Sequence, residues 1–97
     1  MSTLRKALGT ELKARRNEQG LSLRALSAKA KVSLGFLSEI ERGQKEVSSE
    51  VLRAITNALN APLSEVVINA GVAMAKKENA SQTVVVKLPV KNQERAA

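Results

Sequence analysis

The sequence predicts an all-α fold: a compact five-helix bundle over residues 1–78, followed by a partly extended or disordered tail over 79–97. Three observations predict it. Apolar residues recur three and four apart in five successive segments, the spacing of helices that each bury one stripe. Residues that cap or break helices stand between those segments: Gly20, Ser22, Ser33, Gly43, Ser48, Ser49 and Asn60-Ala61-Pro62. The single aromatic, Phe36, leaves the core to Leu, Ile, Val and Ala, which suits a small helical bundle.

Each element has its own warrant. Beyond a frayed Met1–Thr3, Leu4, Leu8 and Leu12 repeat four apart, giving a first helix to about Gln19 with Gly20 as its C-terminal cap. Its other faces carry Arg5, Lys6, Lys13, Arg15 and Arg16, a solvated surface or a set of phosphate contacts. Ser22 caps a second helix with apolar Leu23, Leu26 and Ala30. Lys31-Val32 interrupts it, and Ser33 caps a third with Leu34, Leu37 and Ile40 three apart, stopped by Gly43. Gln44-Lys45-Glu46-Val47 reads as a polar loop. Ser48 or Ser49 then caps a fourth helix with Val51, Leu52, Ile55 and Leu59 inward. After Asn60-Ala61, Pro62 or Leu63 starts a fifth with Val66, Val67 and Ala70 inward.

The fifth helix has no sharp end. Ile68, Val72, Ala73 and Met74 add apolar surface around Gly71. Five helices already close a core, so this surplus fits a homodimer contact through Val66–Met74 as well as it fits a helix lying over its own domain. Past Ser81 the run Thr83–Val90 is β-branched, interrupted by Pro89, and suits an edge strand or an extended segment. Lys91–Ala97 has too little apolar surface to offset the entropy of ordering.

The second and third helices organise the rest. Neither is long enough to stand alone in water, so their apolar faces must pack on the other helices. Two such helices with so brief a connection suit a helix-turn-helix, whose second helix enters the DNA major groove.

Composition narrows the alternatives. Sixteen Lys and Arg against nine Asp and Glu give a net charge of +7, which favours a polyanionic partner. Residues 70–97 supply +3 of that excess, so a binding surface on the domain must depend on where its charges stand. With no Cys and no His, disulfides, thiol catalysis and the commonest zinc ligands are excluded, and neither a metal nor a cofactor is expected. An enzyme would have to rely on a carboxylate pair or a Ser-Lys arrangement, and the carboxylates read as surface or ion-pair groups. No apolar run approaches the roughly 18 residues of a membrane span, and no signal peptide is visible, so cytoplasm is the expected location.

Specific residues also carry a resemblance. Ser27, Val32 and the closing Ser38-Glu39-Ile40-Glu41-Arg42-Gly43 resemble the hallmarks of the Cro/CI-type (XRE) helix-turn-helix: a small residue in mid helix, a Val at the turn, and Ser-x-x-Glu-x-Gly. The run from Val32 to Leu52 is similar to actinobacterial regulators of Clp protease genes. The likeness covers about Leu8 to Val67. It implies a lambda-repressor-like DNA-binding domain that acts on double-stranded DNA as a dimer at an inverted repeat. It further implies an activator of protease and chaperone genes, with RNA polymerase and Clp protease as possible partners. The Ala96-Ala97 terminus is similar to the small-residue tags that Clp-type unfoldases recognise.

The resemblance assigns residues one by one. Ser33, Leu34, Gly35, Ser38 and Glu39 face the groove, Phe36 lies near them, and Val32, Leu37 and Ile40 pack inward. Arg42 matches a backbone-contact position, with Gln44 and Lys45 on the same loop, and Ser22 and Ser49 mark helix ends whose N–H groups can meet phosphates. Arg16 and Glu41 fall where family members place an architectural ion pair. Many members carry Gln where this chain has Leu23 and Leu34-Gly35, so the neutral amide readers of adenine are missing. Arg24 at the start of helix 2 and Glu39 are the groups suited to guanine and cytosine, which favours a G·C-containing site. The rival reading is an XRE-like protein-interaction module of antitoxin or co-activator type, favoured by the apolar Leu34 and Phe36.

Overall fold

The computed structural model describes residues 4–82, with side chains described over 4–78. Within them the chain forms α1 (Leu4–Glu18), α2 (Leu23–Ala30), α3 (Leu34–Glu41), α4 (Ser49–Ala58) and α5 (Leu63–Gln82). Five helices stand in the expected order. The tail expected from residue 79 begins later, because α5 continues as helix through Gln82; the expectations for Met1–Thr3 and for the stretch from Thr83 to Ala97 lie outside the described residues.

The caps show why the segments start and stop there. The Ser22, Ser33 and Ser48 side chains accept hydrogen bonds from the backbone N–H of Ala25, Phe36 and Val51. Each satisfies one of the donors that a helix start leaves unpaired. Of the two serines before α4, Ser48 is the cap, because its extended φ −72 and ψ 163 turn the chain into the helix while Ser49 is already helical. The α2–α3 turn is made by Lys31 in the left-handed conformation at φ 60. Ser27 clasps that turn twice. Its carbonyl accepts from the Val32 N–H at 3.1 Å, and its hydroxyl donates to the Val32 carbonyl.

The helices enclose one core of Leu8, Leu12, Leu26, Leu37, Ile40, Leu52, Ile55, Leu59, Val66 and Ala70, with Ala30 and Ala61 at its edge. Full burial of one such Leu, Ile or Val side chain contributes about 1.5–3 kcal/mol. α1 packs on α3 and α5, α2 on α3 and α4, and α4 on α5. The short HTH helices are therefore held by α1 and α4, and α5 braces both of those. Two apolar positions depart from expectation. Leu4 is 48% exposed, because it opens α1 beyond the reach of the core. Val67 is 40% exposed, because α5 turns Val66 and Ala70 inward and rotates the next residue out.

α1 and α5 are also joined by polar contacts. Arg15 Nε donates to Glu11 at 2.7 Å and Arg15 Nη1 to Glu65 at 3.3 Å, while Asn69 Nδ2 donates to Glu11 at 3.1 Å. No single helix among the described residues is long and apolar enough to cross a membrane.

Candidate nucleic-acid interface

α3 is too short to hold its own orientation, so its seating on α1 decides what it presents. Gly9 lies under the end of α3, and a Cβ added there would stand 2.3 Å from the Ile40 carbonyl oxygen and 2.6 Å from that of Glu41. Only a residue without a side chain lets the two backbones approach so closely. Gly43 follows α3 at φ +74, and a Cβ there would meet Lys6 Cα at 2.8 Å. Its left-handed conformation and the crowding both demand glycine.

Further along α1 stands the Arg16–Glu41 pair. Arg16 Nε and Nη2 donate to Glu41 Oε2 and Oε1 at 2.7 and 2.9 Å, a bidentate fork. Arg16 Nη1 also donates to the Leu21 carbonyl at 2.9 Å, so the same guanidinium ties the α1–α2 connection. The side chains are 12% and 5% exposed. Hydrogen bonding to Glu41 raises the Arg16 pKa, burial opposes that rise, and the Glu41 charge adds to it.

The outward residues sort into three groups. At the helix starts, Ser22 and Ser33 are exposed with their hydroxyl oxygens engaged as caps, Arg24 is exposed one residue into α2, and Ser49 opens α4. Along α3, Gly35 is exposed, and a methyl group added there would find nothing within 4 Å. Leu34, Ser38 and Glu39 beside it are half-buried, whereas Phe36 is partly buried against the core, on the other side from the groove-facing residues it was expected to lie near. Val32, Leu37 and Ile40 face inward, Val32 partly and the other two completely. Beyond α3, Arg42, Gln44 and Lys45 lie at the surface.

Two arrangements here are not evident from spacing alone. Arg42 Nη1 donates to Ser38 Oγ and Arg42 Nε to Gln44 Oε1 at 3.3 Å, which joins residues that the family resemblance assigns to different tasks. Arg5 Nη1 donates to Glu46 Oε2 at 2.9 Å, fastening the loop that carries Lys45 to the start of α1. A hollow of about 160 Å³ between α1 and α5 is lined by Lys6, Ala7, Thr10, Ala73, Met74 and Lys77, with no carboxylate. Among the described residues no cluster of Asp and Glu could hold a metal ion.

Two capped helices about a short turn, the second seated on α1 with its outer side open, define a helix-turn-helix DNA-binding domain. Comparison with known proteins agrees: residues 12–66 match the helix-turn-helix family HTH_3. Over 75 residues the chain is 55% identical to the transcriptional regulator ClgR of Mycobacterium tuberculosis (strains CDC 1551 / Oshkosh and H37Rv), covering 77% of this chain and 67% of that protein. The crystal structure of the clp gene regulator ClgR from Corynebacterium glutamicum superposes with a TM-score of 0.79 at 43% identity, covering 84% of this chain and 87% of that one. The controller protein C.Esp1396I, bound to a 25 base pair operator site, shares the fold at a TM-score of 0.66 and 23% identity, over 74% of this chain and 99% of its own. The chain belongs to the XRE-type helix-turn-helix transcriptional regulators of the ClgR kind.

Proposed function

We propose that this chain binds a G·C-containing inverted repeat as a homodimer and activates clp protease and chaperone genes. The observation that carries the reading is α3 itself, seated by Gly9, Gly43 and the Arg16–Glu41 pair, with an outer side left unfilled at Gly35. Ser33, Leu34, Gly35 and Glu39 meet base edges, and Arg24 reads guanine from the start of α2. Arg42 and Lys45 anchor phosphates, helped by the N–H groups at the starts of α2 and α4 near Ser22 and Ser49. The clp targets are carried over from the ClgR relatives, whose structure is described as that of a clp gene regulator. The activating direction follows the family resemblance. An activator of this kind works through RNA polymerase, and a Clp protease is a second partner of the same circuit.

The dimer reading rests on α5, where Val67 and Ile68 are 40% and 61% exposed beside a Gly71 with open space around it. Selection of duplexes from random sequence, followed by footprinting, tests the whole proposal. The expected product is a palindrome with half-site centres about 34 Å apart, one helical turn. Equal affinity for an isolated half-site and a full site would reject the dimer. Apolar Leu34, half-buried at the start of α3, favours a second reading, a protein-interaction module, and failure to bind fragmented genomic DNA would select it.

A further inference from the structure

Four arginines among the described residues are held through their guanidinium groups, in two different ways. Arg5, Arg15 and Arg16 are each fixed by carboxylates, from Glu46, from Glu11 and Glu65, and from Glu41. Arg42 is fixed by neutral acceptors, the Ser38 hydroxyl and the Gln44 side-chain carbonyl. A guanidinium paired with a carboxylate belongs to a pair of no net charge, whereas one held by neutral oxygens is oriented with its charge uncompensated.

The backbone builds the cradle. Ser38 and Arg42 stand four apart on one helix face, where side chains meet. Arg42 caps α3 at φ −86 and ψ 0, with its N–H bonded to the Ser38 carbonyl at 3.1 Å. Gly43 then reverses the chain, and the Gln44 N–H closes on the Glu39 carbonyl at 2.9 Å. That return brings Gln44 alongside Arg42. Of the five guanidinium N–H donors, Nε and one on Nη1 are engaged, which leaves both on Nη2 and one on Nη1 for an incoming anion.

We propose that Ser38 and Gln44 are positioning residues that hold Arg42 as a preformed phosphate clamp. Ser38 then acts on DNA through Arg42 and is not an independent reader of a base. The proposal rests on the DNA-binding reading above. Its physical basis is entropic: a free arginine side chain is among those that lose most freedom when immobilised, and one already held loses less on binding.

The test measures affinity for two duplexes, the best site selected by the wild-type chain and a scrambled duplex of the same composition. Ser38→Ala should weaken both by the same factor, about two- to tenfold, the cost of immobilising one freed arginine side chain on binding. Ser38→Thr, which keeps the hydroxyl, should restore binding, and Ser38→Ala should add nothing in an Arg42→Ala background. In the DNA-free protein, nuclear relaxation of the Arg42 Nε–H should show an ordered side chain that loosens in Ser38→Ala. A loss confined to the selected duplex, additive losses, or equal Arg42 mobility in both proteins would overturn the clamp alone. A wild-type chain that binds neither duplex overturns the DNA-binding reading, and the clamp with it.

Discussion

Removing one partner of the Arg16–Glu41 pair should destabilise the fold more than any other single charge removal among the described residues. At 12% and 5% exposure these groups lie near the buried limit, where loss of one partner costs about 3–5 kcal/mol. The two losses differ. Arg16→Ala leaves the Glu41 carboxylate buried and also strips the Leu21 carbonyl of its donor, so about 4 kcal/mol is expected. Glu41→Ala leaves a guanidinium that keeps Leu21 and reaches solvent, so about 3 kcal/mol is expected. For a domain of this size each kcal/mol lowers Tm by about 4–8 °C, so both variants should melt more than about 10 °C lower. Thermal melts of Arg16→Met, Glu41→Leu and the two combined complete a double-mutant cycle. The paired apolar substitution should be less destabilised than the sum of the singles by about 2 kcal/mol or more. A coupling below about 0.5 kcal/mol would refute the claim that the pair acts as a buried unit. The Arg16 pKa is raised on folding, so its contribution is complete below the unfolded value and fades only as pH rises past the folded one. Both values lie in strongly alkaline solution, and the Arg16 contribution to the melt should be level between about pH 6 and 9.

Other substitutions probe the seating and the surface of α3. Gly9→Ala drives a methyl into two carbonyl oxygens and should destabilise by about 1–3 kcal/mol or more, read from Tm, with DNA affinity falling as α3 shifts. Gly35→Ala meets nothing within the domain and should raise stability by about 0.5 kcal/mol while weakening DNA binding; unaltered affinity would place Gly35 outside the interface. Arg42→Ala and Lys45→Ala should weaken all sequences alike, each lowering the salt slope by about 0.9 per phosphate contact, whereas Arg24→Ala should change preference among sites. Ile68→Glu, at an exposed position, should yield a monomer by sedimentation, with a Tm that no longer depends on protein concentration.

The helices and most of their inward faces are legible in the sequence, because caps and apolar spacing are local signals. Ser22, Ser33 and Gly43 mark α2 and α3 by their own chemistry. The Arg16–Glu41 contact is legible only through resemblance, since 25 residues separate the partners and no local rule joins them. Gly9 is illegible for another reason. A glycine inside a helical pattern reads as a weak point until the backbone that lies against it is known. The role of Gln44 depends on the path of the chain after α3, which Gly43 redirects. Val67 shows the limit of periodicity: a residue beside a buried one fits the stripe until the helix is rotated onto its neighbours.

Gly9 and the Arg16–Glu41 pair both belong to the seating of α3 on α1, which bears on function. α1 lies outside the two-helix motif, yet it sets where the motif points. Gly9 fixes how closely α3 approaches, Arg16 fixes its end through Glu41, and Lys6 packs where Gly43 turns away. Arg5 also reaches Glu46, an exposed contact on the loop bearing Lys45. A helix of 8 residues has little rigidity of its own to bring to recognition. Its angle in a groove is therefore a property of α1, and a change on α1 far from any base can act on DNA affinity as strongly as a change on α3. Such a change shifts the register of every contact together, so it should weaken specific binding more than the salt-driven, sequence-independent part.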